Sequence, residues 1–189
     1  MFVLNALKSK KGYLLIAEPN LVDDSFNRTI VLVADHRKGG AIGFITNKPL
    51  PMKINDVLPE FPDFDAKLFY GGPVQQDNLY FIHKLGEKIK GSEKISRNIY
   101  WGGDINQLAD LIESGEAAPD DVRFFMGYAG WQSQQLEGEI EEKSWLVVEN
   151  LPNIDLMSDQ PDILWKKALL QLDDKYKLWV NSPANPLWN

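Results

Sequence analysis

The chain contains no cysteine in 189 residues. That excludes disulfides, thiolate metal sites and a cysteine nucleophile, and it suits a reducing cytoplasm. Histidine is scarce too. His36 and His83 are the two present, and no H-x-x-x-H spacing exists. A zinc site takes about three or four protein ligands. One could form from His36, His83 and Asp77 only if the fold brought those strand ends together, so no metal or cofactor is expected. No apolar run approaches the length of a membrane span. In the opening stretch, Met1 to Pro19, the apolar residues precede the lysines and no small-residue cleavage site follows, the reverse of a signal peptide. A cytoplasmic protein is expected.

Basic charge is also short. Lys plus Arg number 20 against 27 for Asp plus Glu, a formal charge of −7. An acidic chain repels a phosphate backbone unless its cations cluster. Only Lys84 to Lys94 concentrates them, and no helix-turn-helix pattern is present, so direct DNA binding is not expected. The glycine-rich run Gly39-Gly40-Ala41-Ile42-Gly43 lacks both the Lys-Ser/Thr pair of a P-loop and the G-x-G-x-x-G spacing. A structural turn suits it better than a phosphate cradle. Ser25, Ser133 and Ser144 have no G-x-S-x-G context for a hydrolase nucleophile.

What is present is globular. Apolar residues make up 44% and charged residues 25%, a balance that indicates neither disorder nor a fibre. Six Trp, six Tyr and nine Phe promise an aromatic core. The length suits a single domain over residues 1–189, with no linker or repeat.

Tyr13 to Ala17, Thr29 to Ala34, Ala41 to Thr46, Leu68 to Tyr70, Leu79 to His83, Ile99 to Trp101, Val122 to Met126 and Trp145 to Val148 read as strands. Arg37 to Gly40 favours a hairpin, and Pro49 ends the strand before it. Helical spacing marks Lys53 to Leu58, Asp104 to Gly115, with Asp104 as cap, and residues 161–173, with Pro161 at the first turn. Residues 1–11 suit a short amphipathic helix or arm. Lys84 to Lys94 reads as an exposed loop, and Trp179 to Asn189 as an extended tail pinned by Trp188. Strands and helices do not alternate regularly, which argues α+β rather than a doubly wound sheet.

The densest stretch is Arg123 to Trp145, RFFMGYAGWQSQQLEGEIEEKSW. After the Phe124-Phe125-Met126 strand, Gly127 and Gly130 bracket a place where the chain turns sharply or another backbone comes close. Leu136 and Ile140 then give a narrow apolar helical stripe. The combination could make an active-site corner, but a structural joint suits it better.

GYLLIAEP with FNRTIVLV, GGAIGFITNKP, FYGGPV with LYFIH, and GYAGWQSQQLEGEI with WLVV occur in this order from about Gly12 to Leu172. Together they resemble the YqgE/AlgH family of bacterial proteins. The resemblance implies one compact α+β domain with a coiled, small barrel-like sheet surrounded by about three helices. It also implies a regulatory role, since the family carries the label of transcriptional regulator through one member linked to alginate production. It supplies no catalytic residues. Where relatives often carry a Gly-Pro-like pair after the tryptophan, this chain has Gln132-Ser133-Gln134.

Arg28, Asn47, His83, Tyr128, Trp131 and Glu137 fall within these motifs and are the candidate ligand-binding residues. Glu137 and Glu139 stand two apart and face different sides of a helix, which disfavours paired-carboxylate catalysis. Trp131 suits a core anchor or a stacking platform. The expected function is a non-enzymatic regulatory or interaction protein that binds an unidentified protein or small molecule. The alternative is a ligand-binding protein or enzyme whose pocket gathers Arg28, Asn47, His83 and Tyr128. The plainest reading is a scaffold whose conspicuous residues only hold the fold.

Overall fold

The computed structural model describes residues 8–21, 23–149, 151, 153–157 and 160–182. Along the chain lie β1 (Leu14–Ala17), β2 (Ile30–Arg37), β3 (Gly40–Ile45), β4 (Pro49–Lys53), α1 (Ile54–Val57), β5 (Lys67–Tyr70) and β6 (Val74–His83). There follow β7 (Glu93–Lys94), β8 (Tyr100–Trp101), α2 (Ile105–Glu113), β9 (Val122–Gln132), α3 (Gln135–Glu141), β10 (Trp145–Val148), α4 (Pro161–Leu169) and α5 (Asp174–Val180). The fold class is α+β, as expected. Among the described residues it has five helices rather than about three.

The ten strands form one sheet in the order β10-β1-β2-β3-β9-β6-β8-β7, with β5 also paired to β9 and carrying β4 at its edge. All pairs are antiparallel except β5 with β9. None of the described pairings joins β10 to β7, so the expected barrel-like closure does not form. The cause lies in β9. Its first half, Val122 to Met126, sits between β5 and β6, while its last residues, Ala129 to Gln132, pair with β3. One long strand therefore serves two half-sheets and leaves both outer ends open.

Between the halves, the sharp turn anticipated at Gly127–Gly130 is replaced by a strand that runs straight through, and the second option at these glycines holds instead. Gly127 has φ +71, and a Cβ there would lie 2.6 Å from the Gly72 carbonyl oxygen. A Cβ on Gly72 would lie 2.2 Å from the Tyr128 carbonyl carbon, and one on Gly71 2.1 Å from the Gly127 oxygen. Two backbones cross in contact, with no room for a side chain between them.

Strands buried on both faces explain the continuous apolar runs. Leu14, Ile16, Leu32, Phe44 and Phe125 face α4 and α5, where Leu164, Trp165, Leu169 and Tyr176 cover them. Leu15, Val31, Val33, Trp131, Trp145 and Val147 face the other way, against Leu136 of α3. A third cluster joins Phe124, Leu68 and Phe81 to Ile54 of α1 and Leu108 of α2. Each fully buried side chain of this size stabilises the fold by about 1.5–3 kcal/mol.

Several boundaries differ from expectation. The strand before Pro49 ends as expected, at Ile45, but Pro49 then opens β4, an exposed edge strand where its missing N–H costs nothing. The Lys84–Lys94 segment holds a short 3-10 turn and β7, and residue Ile89 just before β7 is buried at 1% exposure. The tail begins as α5 rather than as extended chain, with Trp179 set edge-on to Tyr176 at 5.1 Å. Residues 1–7 of the expected arm, and residues 183–189 of the tail with Trp188, lie outside the described residues.

Candidate functional site

After β9 the chain reverses at Ser133-Gln134. Gln134 takes φ +65, and the Gln135 side chain accepts the Gln132 amide at 2.9 Å. Ser133 Oγ donates to the Lys38 carbonyl at 2.8 Å and ties this turn to the β2–β3 hairpin. Gln132, Ser133 and Gln134 thus build a defined turn, which starts α3 directly beside the end of β9.

That placement sets Glu139, one helical turn beyond Gln135, over two tryptophans. Its Oε2 accepts the indole N–H of Trp131, from β9, and of Trp145, from β10, both at 2.8 Å. Its Oε1 accepts from Gln135 Nε2 at 3.0 Å. Trp131 and Trp145 meet edge to face at 6.1 Å, and Phe26 packs on both, at 6.2 and 5.4 Å. Phe26 arrives on the turn before β2, where Asp23 accepts the Ser25 amide at 2.8 Å. These residues, with Leu21, Pro73, Gly130 and Ser144, line a cleft of about 400 Å³, within the usual range for a small-molecule site.

The six candidate residues are not gathered in one place. Trp131 lines the cleft. Glu137 points away from it, 2.9 Å from His36 Nε2, while His36 Nδ1 donates to the Ser9 carbonyl at 2.9 Å. Asn47 is buried and takes the Ile30 amide at 2.8 Å while donating to the Arg28 carbonyl at 2.9 Å. The Arg28 guanidinium lies over the Trp165 ring at 5.1 Å and donates to the Ser182 carbonyl. Tyr128 stands edge-on to Tyr80 at 5.6 Å. Four clefts of about 260 to 400 Å³ are lined by residues other than Arg28, Asn47, His83 and Tyr128.

His83 is fully buried. The Leu85 amide faces its Nδ1 at 3.3 Å, so that nitrogen accepts, and Nε2–H donates to Ser92 Oγ at 3.0 Å. Ser92 Oγ passes the chain on to the Ile89 carbonyl at 2.7 Å. Burial holds the imidazole below its ordinary pKa, opposed in part by the Gly102 carbonyl. Among the described residues, no cluster of His, Asp and Glu has the makings of a metal site, and His36, His83 and Asp77 are not brought together as one.

From residue 14 to residue 177 the sequence fits one known pattern. A family model described as AlgH-like matches residues 14–177. The chain belongs to the AlgH-like family. Among its relatives, the UPF0301 protein of Cytophaga hutchinsonii is 41% identical over 180 residues, covering 95% of this chain and 98% of that one. The UPF0301 protein of Pelodictyon phaeoclathratiforme is 38% identical over 179 residues, 95% of each chain. The solution structure of AlgH from Pseudomonas aeruginosa is similar with a TM-score of 0.70 at 25% identity, covering 94% of this chain and 98% of that one. A Corynebacterium diphtheriae crystal structure shares the fold at a TM-score of 0.73 and 20% identity, over 93% and 94% of the two chains.

The AlgH-like motifs divide into two kinds of work in this structure. Gly71, Gly72 and Gly127 make the backbone crossing. Phe26, Pro73, Gly130, Trp131, Gln135 and Glu139, drawn from three motif segments far apart in sequence, converge on the cleft. Sequence reasoning missed Glu139, Trp145, Phe26 and Asp23 as parts of a site. The available signal was Glu139 standing four residues after Gln135 on a helix bracketed by two tryptophans.

Proposed function

We propose that this AlgH-like chain is a non-enzymatic regulatory protein that binds a partner protein or small molecule in the Trp131–Trp145–Glu139 cleft. Its influence on transcription then runs through the bound partner and not through contact with DNA. The observation that carries this reading is the convergence of three motif segments on one cleft with polar groups at its floor. The net charge of −7 supports the second half, since duplex DNA binding draws on released counterions and therefore on clustered cations.

Ser144 lines the cleft without forming its carboxylate–indole floor, so Ser144→Trp fills the space. Native mass spectrometry of the protein passed through a cell extract tests the reading. A species retained by the wild type and absent from the folded Ser144→Trp variant is the expected result. Equal retention by both proteins moves the site elsewhere. Consumption of a metabolite by the purified protein overturns the non-enzymatic reading, and a tight gel shift that weakens steeply with salt overturns the exclusion of DNA.

A further inference from the structure

Resting on the cleft as the binding site, we infer that its ligand presents an organic cation bearing N–H donors, a primary ammonium or guanidinium on a short apolar stem. The Glu139 carboxylate is held by three neutral donors, two indole N–H groups and one amide. Among the described residues no Lys or Arg lies within 4.0 Å of it or of Asp23. Glu137, by contrast, is paired with His36. Lys48 donates its Nζ to the carbonyls of Asp24 and Ser25 at 2.7 and 2.9 Å. Burial keeps its pKa below the ordinary value, while Asp23 and Asp24 pull it up. The cleft floor therefore carries negative charge that no side chain at the floor neutralises.

The hydrogen-bond inventory narrows the cation. An ionised carboxylate has about four acceptor sites. At Glu139, Oε2 is filled by the two indoles, and Oε1 holds one donor and keeps one site. Asp23 Oδ1 takes the Ser25 amide, which leaves Oδ2. Glu139 and Asp23 line the same cleft, each with an acceptor site left, which suits a head group with several N–H donors, whereas a quaternary ammonium could hydrogen-bond to neither. Trp131 and Trp145 are 6% and 3% exposed, so the rings serve as floor and not as a clamp. Half-buried Leu21 and Phe26, with Pro73, offer the apolar wall for the stem.

The test follows the indole Nε1–H signals of Trp131 and Trp145 in ¹H–¹⁵N spectra during titration at fixed ionic strength. The probes are butylammonium, butylguanidinium, tetramethylammonium, butyrate and butanol. Saturable shifts with the first two, at about millimolar concentration for ligands this small, and weaker ones with tetramethylammonium are expected. Glu139→Gln keeps an acceptor for the indoles and removes the charge, and should weaken butylammonium by about tenfold or more. Asp23→Asn gives a second reading if that variant folds poorly. Lysine- and arginine-containing tetrapeptides, run alongside, separate a free amine from a partner's side chain as the source. Shifts equally strong with butyrate or butanol, or butylammonium binding unchanged in both variants, overturn the cation assignment while leaving the cleft a binding site. No shift with any probe overturns the assignment and withdraws the cleft's support for the proposed function as well.

Discussion

Replacing Glu139 with alanine should destabilise the protein through two donors left without an acceptor. Both indole N–H groups that converge on Oε2 belong to buried rings, Trp131 and Trp145. A buried donor stripped of its partner costs about 1–3 kcal/mol. Water entering along the cleft can satisfy part of that demand, which places the pair near the lower half of the summed range, about 3 kcal/mol. For a domain of this size each kcal/mol moves Tm by about 2–4 °C, so a fall of about 9 °C is expected. Glu139→Gln retains an oxygen that can take both indoles and should cost no more than about 1 kcal/mol. Thermal and urea melts followed by circular dichroism compare the two. A double-mutant cycle sharpens the attribution: Trp131→Phe should cost less in the Glu139→Ala background than in the wild type, because the orphaned donor is then gone. The reasoning is refuted if Glu139→Ala melts within about 2 °C of the wild type, or if Glu139→Gln falls as far as Glu139→Ala.

Gly72→Ala would drive a Cβ to 2.2 Å from the Tyr128 backbone at φ +152, so soluble folded protein should be lost or Tm sharply lowered; a variant that melts like the wild type contradicts the crossing. Gly138→Ala, inside α3 with nothing within 4 Å of its Cβ, should instead stabilise by about 0.5–1 kcal/mol in the same urea assay. For His83 the folded pKa lies below the unfolded value of 6.5. The folded state then holds the neutral ring while the unfolded chain takes up the proton, so its contribution is intact above about pH 6.5 and is lost as pH falls from there toward the folded pKa. The urea midpoint of the wild type should therefore drop more steeply than that of His83→Gln between about pH 7 and 5; equal slopes would rule this out.

Much of the sheet was legible because its strands are buried on two faces. Leu14 to Ala17 and Trp145 to Val148 are continuous apolar runs, and they pair with each other through β1 and β10. The polar half of β6 was not legible. Gln75 to Asn78 project outward around an irregularity in the pairing with β9, and nothing apolar marks them as strand. At Gly127 the residue type announced an unusual backbone, but whether that meant a turn or a crossing was decided by Gly71-Gly72 far back in the chain. The candidate site was legible in only one member, Trp131. Helical spacing places Glu137 and Glu139 on different faces, yet it does not say which face meets the indoles; that depends on Trp145, from β10 at the end of the sheet beyond β1, meeting Trp131 of β9 on one face. Asn47 and His83 were candidates because they fall within the motifs, beside glycines that would let a ligand approach; polar residues kept in apolar surroundings can equally serve the fold. Their hydrogen bonds are spent inside the fold, on the β2 entry and on the Leu85–Ser92 loop.

Where Gly71 and Gly72 lie against Gly127 and Tyr128, main chain rests on main chain. Side chains in ordinary sheet packing act as compliant spacers that can change rotamer to take up a displacement. Here there is no spacer. Translation of one strand past the other is blocked by atoms that cannot rearrange. The stretch of β9 that leads to Trp131 is thus anchored by main chain at one end and by β3 at the other, so the placement of the cleft's indole is set by atoms with no rotamers to change.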